Sequence, residues 1–233
     1  MPENLGGRNP IPIVYEDPIA IVFNKPPGLL VIPAENRKVT TLTDIVNKQY
    51  LQRSIQGGGQ ASARLHPCHR LDRDTSGVIL YAKGKRNQKS LMELFNQKKV
   101  LKHYTAFVHG RLSRHIGEIR SEIKDYYQNK FAAFSFGKSA LTRYKVLEFR
   151  KNFSVVDVMP VTGRTNQIRI HFAHIKHPLV GEDRYAFRKD FILKFKRIAL
   201  HARELQWPNP LSRKDITVTA SLPDDMQRFL NTH

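Results

Sequence analysis

Apolar residues in this chain come in short runs that Pro, Gly and Asn interrupt, so the pattern is one of many brief elements. "AIVFNK" (20–25) is a compact run stopped by "PPG", which predicts a strand followed by a tight turn. "TLTDIVNKQYLQ" (41–52) spaces its apolar positions helically, with Thr41 or Thr43 placed to cap the first turn. "GVILYAKG" (77–84) predicts a short buried strand, and "NQKSLMELFNQKK" (87–99) a helix whose buried stripe is Leu91, Leu94 and Phe95.

Further along, "LKHYTAFVHG" (101–110) alternates as a strand does, and "ALTRYKVLEFR" and "FSVVDVMPV" form a hairpin around Lys151 and Asn152. "TNQIRIHFAHI" (165–175) returns to helical period, and "IALHARELQW" and "ITVTASL" supply late strands before a short helix from Pro223. "QGGGQAS" (56–62) reads as a flexible loop, and no internal repeat is present. Strands outnumber helices and follow one another directly. The expected class is therefore α+β, with a mixed, mostly antiparallel central sheet flanked by helices and loops. Strict βαβ alternation and a Walker-type phosphate loop are both missing, which argues against nucleotide hydrolysis.

Composition narrows the picture. A chain of 233 residues buries roughly 70 to 75% of its unfolded surface and needs no covalent staples. One large domain or two closely packed lobes is the expected organisation. The single cysteine, Cys68, excludes an internal disulfide framework and fits a reducing compartment. The N-terminal "MPENLGGRNPIP" lacks the features of a signal or transit peptide. No apolar run approaches the ~18 residues of a membrane span, so a soluble, cytoplasmic protein is expected.

Net charge changes the picture most. At +19, with a pI near 10.2, it far exceeds the magnitude of about 2 to 8 that solubility requires of a small domain. Such an excess suits a polyanion, and nucleic acid leads, because neutralised phosphates release their condensed counterions. An anionic membrane surface fits less well, since no long helix pairs a lysine-rich face with a broad apolar one. The basic residues run from Arg37 to Arg228 and imply a folded binding face, not a tail.

The densest chemistry lies in "HRLDRDTSG" (69–77), where Asp72 and Asp74 stand among Arg64, His66, His69, Arg70 and Arg73. Asp74, Thr75 and Ser76 suit a turn that leads into the following strand. Asp72 is either an ion-paired or a reactive carboxylate, and spacing alone does not choose between the two aspartates. A zinc site at "HPCH" (66–69) would need further thiolates that the chain lacks, so no metal is expected. A glycosidase-like pair would require the two carboxyl groups ~5 Å apart across a sugar, and nothing else in the sequence supports that.

Three ordered motifs, "HRLDRDTSG", "KHYTAFVHG" (102–110) and "TGRTNQIRIH" (162–171), resemble those of the RluA family of RNA pseudouridine synthases. "YEDPIAIVFNKPPGLLVIP" (15–33), "HPLVGEDRY" (177–185) and "IALHARELQWPNP" (198–210) resemble its opening and closing motifs, so the likeness covers nearly the whole chain. The resemblance implies the pseudouridine synthase catalytic fold, with the active-site cleft across the sheet. It also implies an N-terminal extension (1–12) ahead of a single catalytic domain (13–233).

The activity implied is isomerisation of uridine in ribosomal or transfer RNA, with base flipping and no cofactor, by a protein expected to be a monomer. Asp72, the aspartate after "RL", matches the catalytic carboxylate, and Asp74 then keeps the turn. Tyr104 matches the tyrosine that stacks on the base and helps remove the proton at carbon five. Arg169 matches the arginine that pairs with the aspartate; such a neighbour lowers an aspartate pKa by about 1 to 3 units in a dry pocket. Arg70 matches the residue that enters the space left by the flipped base, Leu200 the apolar wall against the uracil, and Lys102 and Arg164 further RNA contacts. Taken without the resemblance, Tyr104 would read as a core aromatic and Arg169 as a solvated helix-face arginine.

Two departures stand out. The usual "TGRTHQIR" has Asn166 in place of histidine, which is expected to alter packing or RNA contacts but not chemistry. The small RNA-binding module that many relatives carry ahead of the catalytic domain is expected to be absent. The rival reading is a non-catalytic RNA-binding or ribosome-associated protein of the same fold, which would need none of Asp72, Tyr104 and Arg169 together.

Overall fold

A computed structural model describes residues 10–33, 39–57, 63–123, 137–186 and 192–233. Nearly all of the N-terminal extension and most of the "QGGGQAS" loop lie outside them. The architecture is α+β with a mostly antiparallel sheet, as the order of elements predicts. The chain divides into two compact units, residues 1–99 with 206–220 and residues 100–205 with 221–233.

In the first unit, β1 (Ile13–Glu16), β2 (Ala20–Lys25) and β4 (Ser76–Lys83) pair antiparallel in that order, and β3 (Leu65–Pro67) adds to β4. Helix α1 (Leu42–Gln56) starts at Thr41, whose hydroxyl accepts from the Asp44 amide while the Asp44 carboxylate accepts from the Thr41 amide. That reciprocal box satisfies two amides the first turn would otherwise leave unpaired. The helix runs to Gln56, beyond the end expected at residue 52, and seats Leu42 and Val46 in the core. Helix α2 (Lys85–Asn96) fully buries only Leu91 of its expected stripe; Leu94 and Phe95 are half-buried, with Phe95 stacked on His69 at 5.0 Å. Strand β10 (Asp215–Thr219) returns to this unit.

In the second unit, the strand order is β9 (Leu200–Pro208, whose last three residues fall in the first unit), β5 (Leu101–His109), β8 (Phe153–Pro160), β7 (Lys138–Phe149) and β6 (Ile116–Ile123). The hairpin of β7 and β8 turns at Lys151 and Asn152, with Phe149 opposite Ser154. One face of this sheet carries α3 (Gln167–His174), whose buried Phe172 lies 5.7 Å from the Tyr144 ring. The other carries α4 (Asp224–Thr232), whose Met226 and Phe229 close a core with Phe107, Phe153, Val155, Val180 and Ala199. Losing a buried phenylalanine such as Phe229 costs about 3 to 5 kcal/mol.

Candidate active site

Asp72 and Arg70 belong to the first unit; Lys102, Tyr104, Arg164, Arg169 and Leu200 belong to the second. Asp72 opens the turn that feeds β4: its carbonyl accepts from the Thr75 amide at 3.2 Å, which sets Asp74 inside the turn. Thr75 and Ser76 are buried behind it.

This turn is tied down from β2. Lys25 is fully buried, and its ammonium donates to the carbonyls of Pro26 and Arg73 at 2.9 and 2.8 Å. The amide of Gly28, at the end of the "PPG" turn, donates to the same Arg73 carbonyl at 2.9 Å. The residue next to Asp72 is thus fixed to the strand end that the sequence marks as "NKPPG". Arg70 is exposed on the approach to the turn.

In the second unit, Tyr104 is buried on β5 opposite Val158 of β8. Lys102 precedes it by two positions and so shares its face. Its ammonium lies 3.5 Å from the Thr162 carbonyl, and burial pushes its pKa down to about 8. Leu200 is buried at the head of β9.

The "TGRTNQIR" segment builds its own scaffold. Gln167 is the hub: its carbonyl oxygen accepts from the Thr162 hydroxyl at 2.7 Å and the Arg164 amide at 3.0 Å. Its amide nitrogen donates to the Leu141 carbonyl and the Thr142 hydroxyl at 3.0 and 2.9 Å. A buried amide with four satisfied contacts fixes the first turn of α3 against β7. Arg164 then reaches along the strand edge, its Nε donating to the Ser139 carbonyl at 3.3 Å.

Arg169 leaves α3 and meets Glu182. Its Nε and Nη2 donate to the two carboxylate oxygens at 2.8 and 2.7 Å, a bidentate pair. Its Nη1 donates to Asn166 Oδ1 at 3.3 Å, and the guanidinium lies 5.2 Å from the centre of the Tyr185 ring. Asn166 Nδ2 donates to the Tyr185 hydroxyl at 2.8 Å, so the departure from the usual motif falls directly on the arginine's surroundings. Glu182 also accepts from the amides of Asp183, Arg184 and Tyr185 at 3.2, 2.9 and 3.2 Å. Burial opposes its charge, but Arg169 and the amides of Arg184 and Tyr185 outweigh burial and hold the carboxyl below the ordinary glutamate range.

Motif reading singled out Arg169 but missed Gln167, Glu182 and Tyr185. They lie within "TGRTNQIR" and "HPLVGEDRY", yet nothing in the spacing says that the second supplies a carboxylate to the first. Among the described residues no three metal-ligating side chains converge, and no helix is long and apolar enough to cross a membrane.

Comparison with known proteins agrees with these motifs. Residues 19–174 match the family described as RNA pseudouridylate synthase. The chain is 35% identical to "Ribosomal large subunit pseudouridine synthase D" of Buchnera aphidicola, covering 99% of this chain and 74% of that protein. It is 32% identical to "Dual-specificity RNA pseudouridine synthase RluA" of Haemophilus influenzae, covering 89% and 91%. Its fold matches the solved structure of human RNA Pseudouridylate Synthase Domain Containing 4, with a TM-score of 0.76 at 24% identity over 94% of this chain and 91% of the other. The chain belongs to the RNA pseudouridylate synthase family, whose members are isomerases.

Proposed function

We propose that the protein isomerises uridines in structured ribosomal or transfer RNA, with Asp72 as the reactive carboxylate and Arg169 and Tyr104 as its partners. In the net reaction the bond from the ribose to nitrogen one of uracil breaks and one to carbon five forms. The proton lost from carbon five is balanced by one taken up at nitrogen one. Composition is unchanged and no redox partner is called for. A stacked uridine is out of reach, so the nucleotide must flip out at a cost of a few kcal/mol. Arg70, exposed beside the Asp72 turn, would fill the gap left behind. Tyr104 offers a flat face to the base and a phenol to relay the proton. Lys102 and Arg164 would contact the RNA, and Leu200 would wall the uracil. We assign the activity to a cytoplasmic monomer that recognises RNA through its own basic surface.

The observation that carries this reading is the investment in Arg169: a buried, fully hydrogen-bonded glutamate holds a single guanidinium in place. A guanidinium fixed in one orientation suits a single reacting group better than it suits contact with successive phosphates along an RNA. The decisive comparison is Asp72→Asn against Asp74→Asn, scored as pseudouridine formed in total RNA from cells lacking the gene. Asp72→Asn should abolish the product while Asp74→Asn keeps at least part of it. Wild-type activity in Asp72→Asn would sink the mechanism, and an unchanged modification pattern on deletion would favour a non-catalytic binder.

A further inference from the structure

Arg169 is not a lone cation. Its partner Glu182 has a side chain only 1% exposed and takes five hydrogen bonds, two from the guanidinium and three from successive amides. A carboxylate so supplied stays ionised and offsets much of the guanidinium's charge. The Asp183 carboxylate lies 3.9 Å from the same Nη2, so Arg169 offers chiefly directed N–H groups at a fixed place and its net positive charge is muted.

The backbone around the pair is committed to this geometry. Gly181 has φ +83°, and a Cβ there would lie 1.8 Å from the Arg197 carbonyl oxygen, so only glycine lets the chain turn Glu182 inward. Asn166 has φ 53° and ψ 22°, a left-handed conformation that asparagine and histidine tolerate better than most residues. This gives a physical reason for one to replace the other here. A buried ion pair is weak evidence for stability, because an apolar replacement is often as stable. Orientation is the better account of its presence.

We propose that Glu182 and Asn166 are positioning residues for uridine isomerisation, fixing the Arg169 guanidinium in one orientation, and that Glu182 limits how much of its charge reaches the reacting carboxylate. The proposal rests on the reading that Asp72 and Arg169 act together. The variants are Glu182→Gln, which keeps the volume but loses the charge; Asn166→Gly, which keeps the left-handed backbone but loses the side chain; and Asn166→His. Each is assayed on total RNA from cells lacking the gene, as initial rates of pseudouridine formation against RNA concentration and pH, with Asp72→Asn alongside.

Glu182→Gln should lower the rate at saturating RNA on the order of 10- to 100-fold, the range seen when outer partners of metal ligands are removed. The half-saturating RNA concentration should stay unchanged. The acid limb of its pH profile should move to lower pH, because a guanidinium left with the exposed Asp183 as its carboxylate neighbour is less screened and favours the ionised Asp72. Asn166→Gly should lose rate without a change in half-saturation, and Asn166→His should regain it. If Glu182→Gln does not fold, the two Asn166 variants decide by the same rates. Folded Glu182→Gln and Asn166→Gly proteins with wild-type rate and pH profile would overturn the proposal, as would losses confined to RNA half-saturation. Full activity in Asp72→Asn would instead mark failure of the underlying catalytic reading.

Discussion

His171 faces the core from α3, its Nδ1 2.9 Å from the Thr142 hydroxyl and its Nε2 buried without a protein partner among the described residues. Burial pushes its pKa down to about 4, as it does for His109 on β5. The unfolded chain therefore binds more protons than the folded one below the ordinary histidine value of about 6.5. The stability these neutral imidazoles contribute is complete above that pH and is lost as pH falls toward 4. Each adds a slope of up to about 1.4 kcal/mol per pH unit within this window. Urea unfolding between about pH 7 and 5 should show the decline, and His171→Asn should flatten it by roughly one proton's worth. An unchanged slope would mean that His171 does not titrate on unfolding. Asp72, Tyr104 and Arg169 stand out in the sequence because each sits inside an ordered motif. Glu182 was not, since a carboxylate 13 residues beyond Arg169 becomes its partner only once the 179–185 segment has folded back.

At the scale of elements, the continuous apolar runs and the capped helix were the easiest to read: β2 and α1 start where "AIVFNK" and Thr41 place them. Strand β6 escaped notice. Its inward positions are Gly117, Ile119, Ser121 and Ile123, so its apolar residues, counting the exposed Ile116, recur at intervals of three and four and mimic a helix. Gly117 is there because Tyr144 lies directly opposite, where a Cβ would meet the ring at 2.6 Å. An aromatic covering a glycine on an edge strand is a packing solution that periodicity cannot announce. Strands β1 and β3 are too short to show a period. The segment that delivers Glu182 is the most exacting in the second unit. Gly181→Ala combines a left-handed backbone with a clash against the Arg197 carbonyl. It should cost at least about 2 kcal/mol. A lowered urea midpoint together with reduced activity is the expected result, and a midpoint equal to wild type would show that the turn can relax.

For the whole molecule, fold class followed from the order of elements; two lobes stood as one of two expectations, but where the chain divides was not readable. Both units are assembled from separated stretches of chain, and the stretches that complete them, residues 206–220 and 221–233, show no change in composition to mark the join. The net charge of +19 belongs to this scale as well. If the basic surface neutralises about six to ten phosphates, affinity for ribosomal RNA should drop by about 10³ to 10⁵ between roughly 50 and 200 mM salt. A filter-binding series over that range tests this, and a flat response would remove phosphate contact as the source of affinity.

The core beneath α4 has a consequence for the chain as it is made. Phe107 and Phe153 emerge from the ribosome well before Met226 and Phe229, which cover them, have been added. At about 5 to 20 residues per second, the gap between Phe107 and Phe229 lasts roughly 6 to 25 seconds. Until α4 is added, the apolar face that Phe107 and Phe153 share lacks its cover. The time for which that face stays uncovered during synthesis is thus set by the pace of translation.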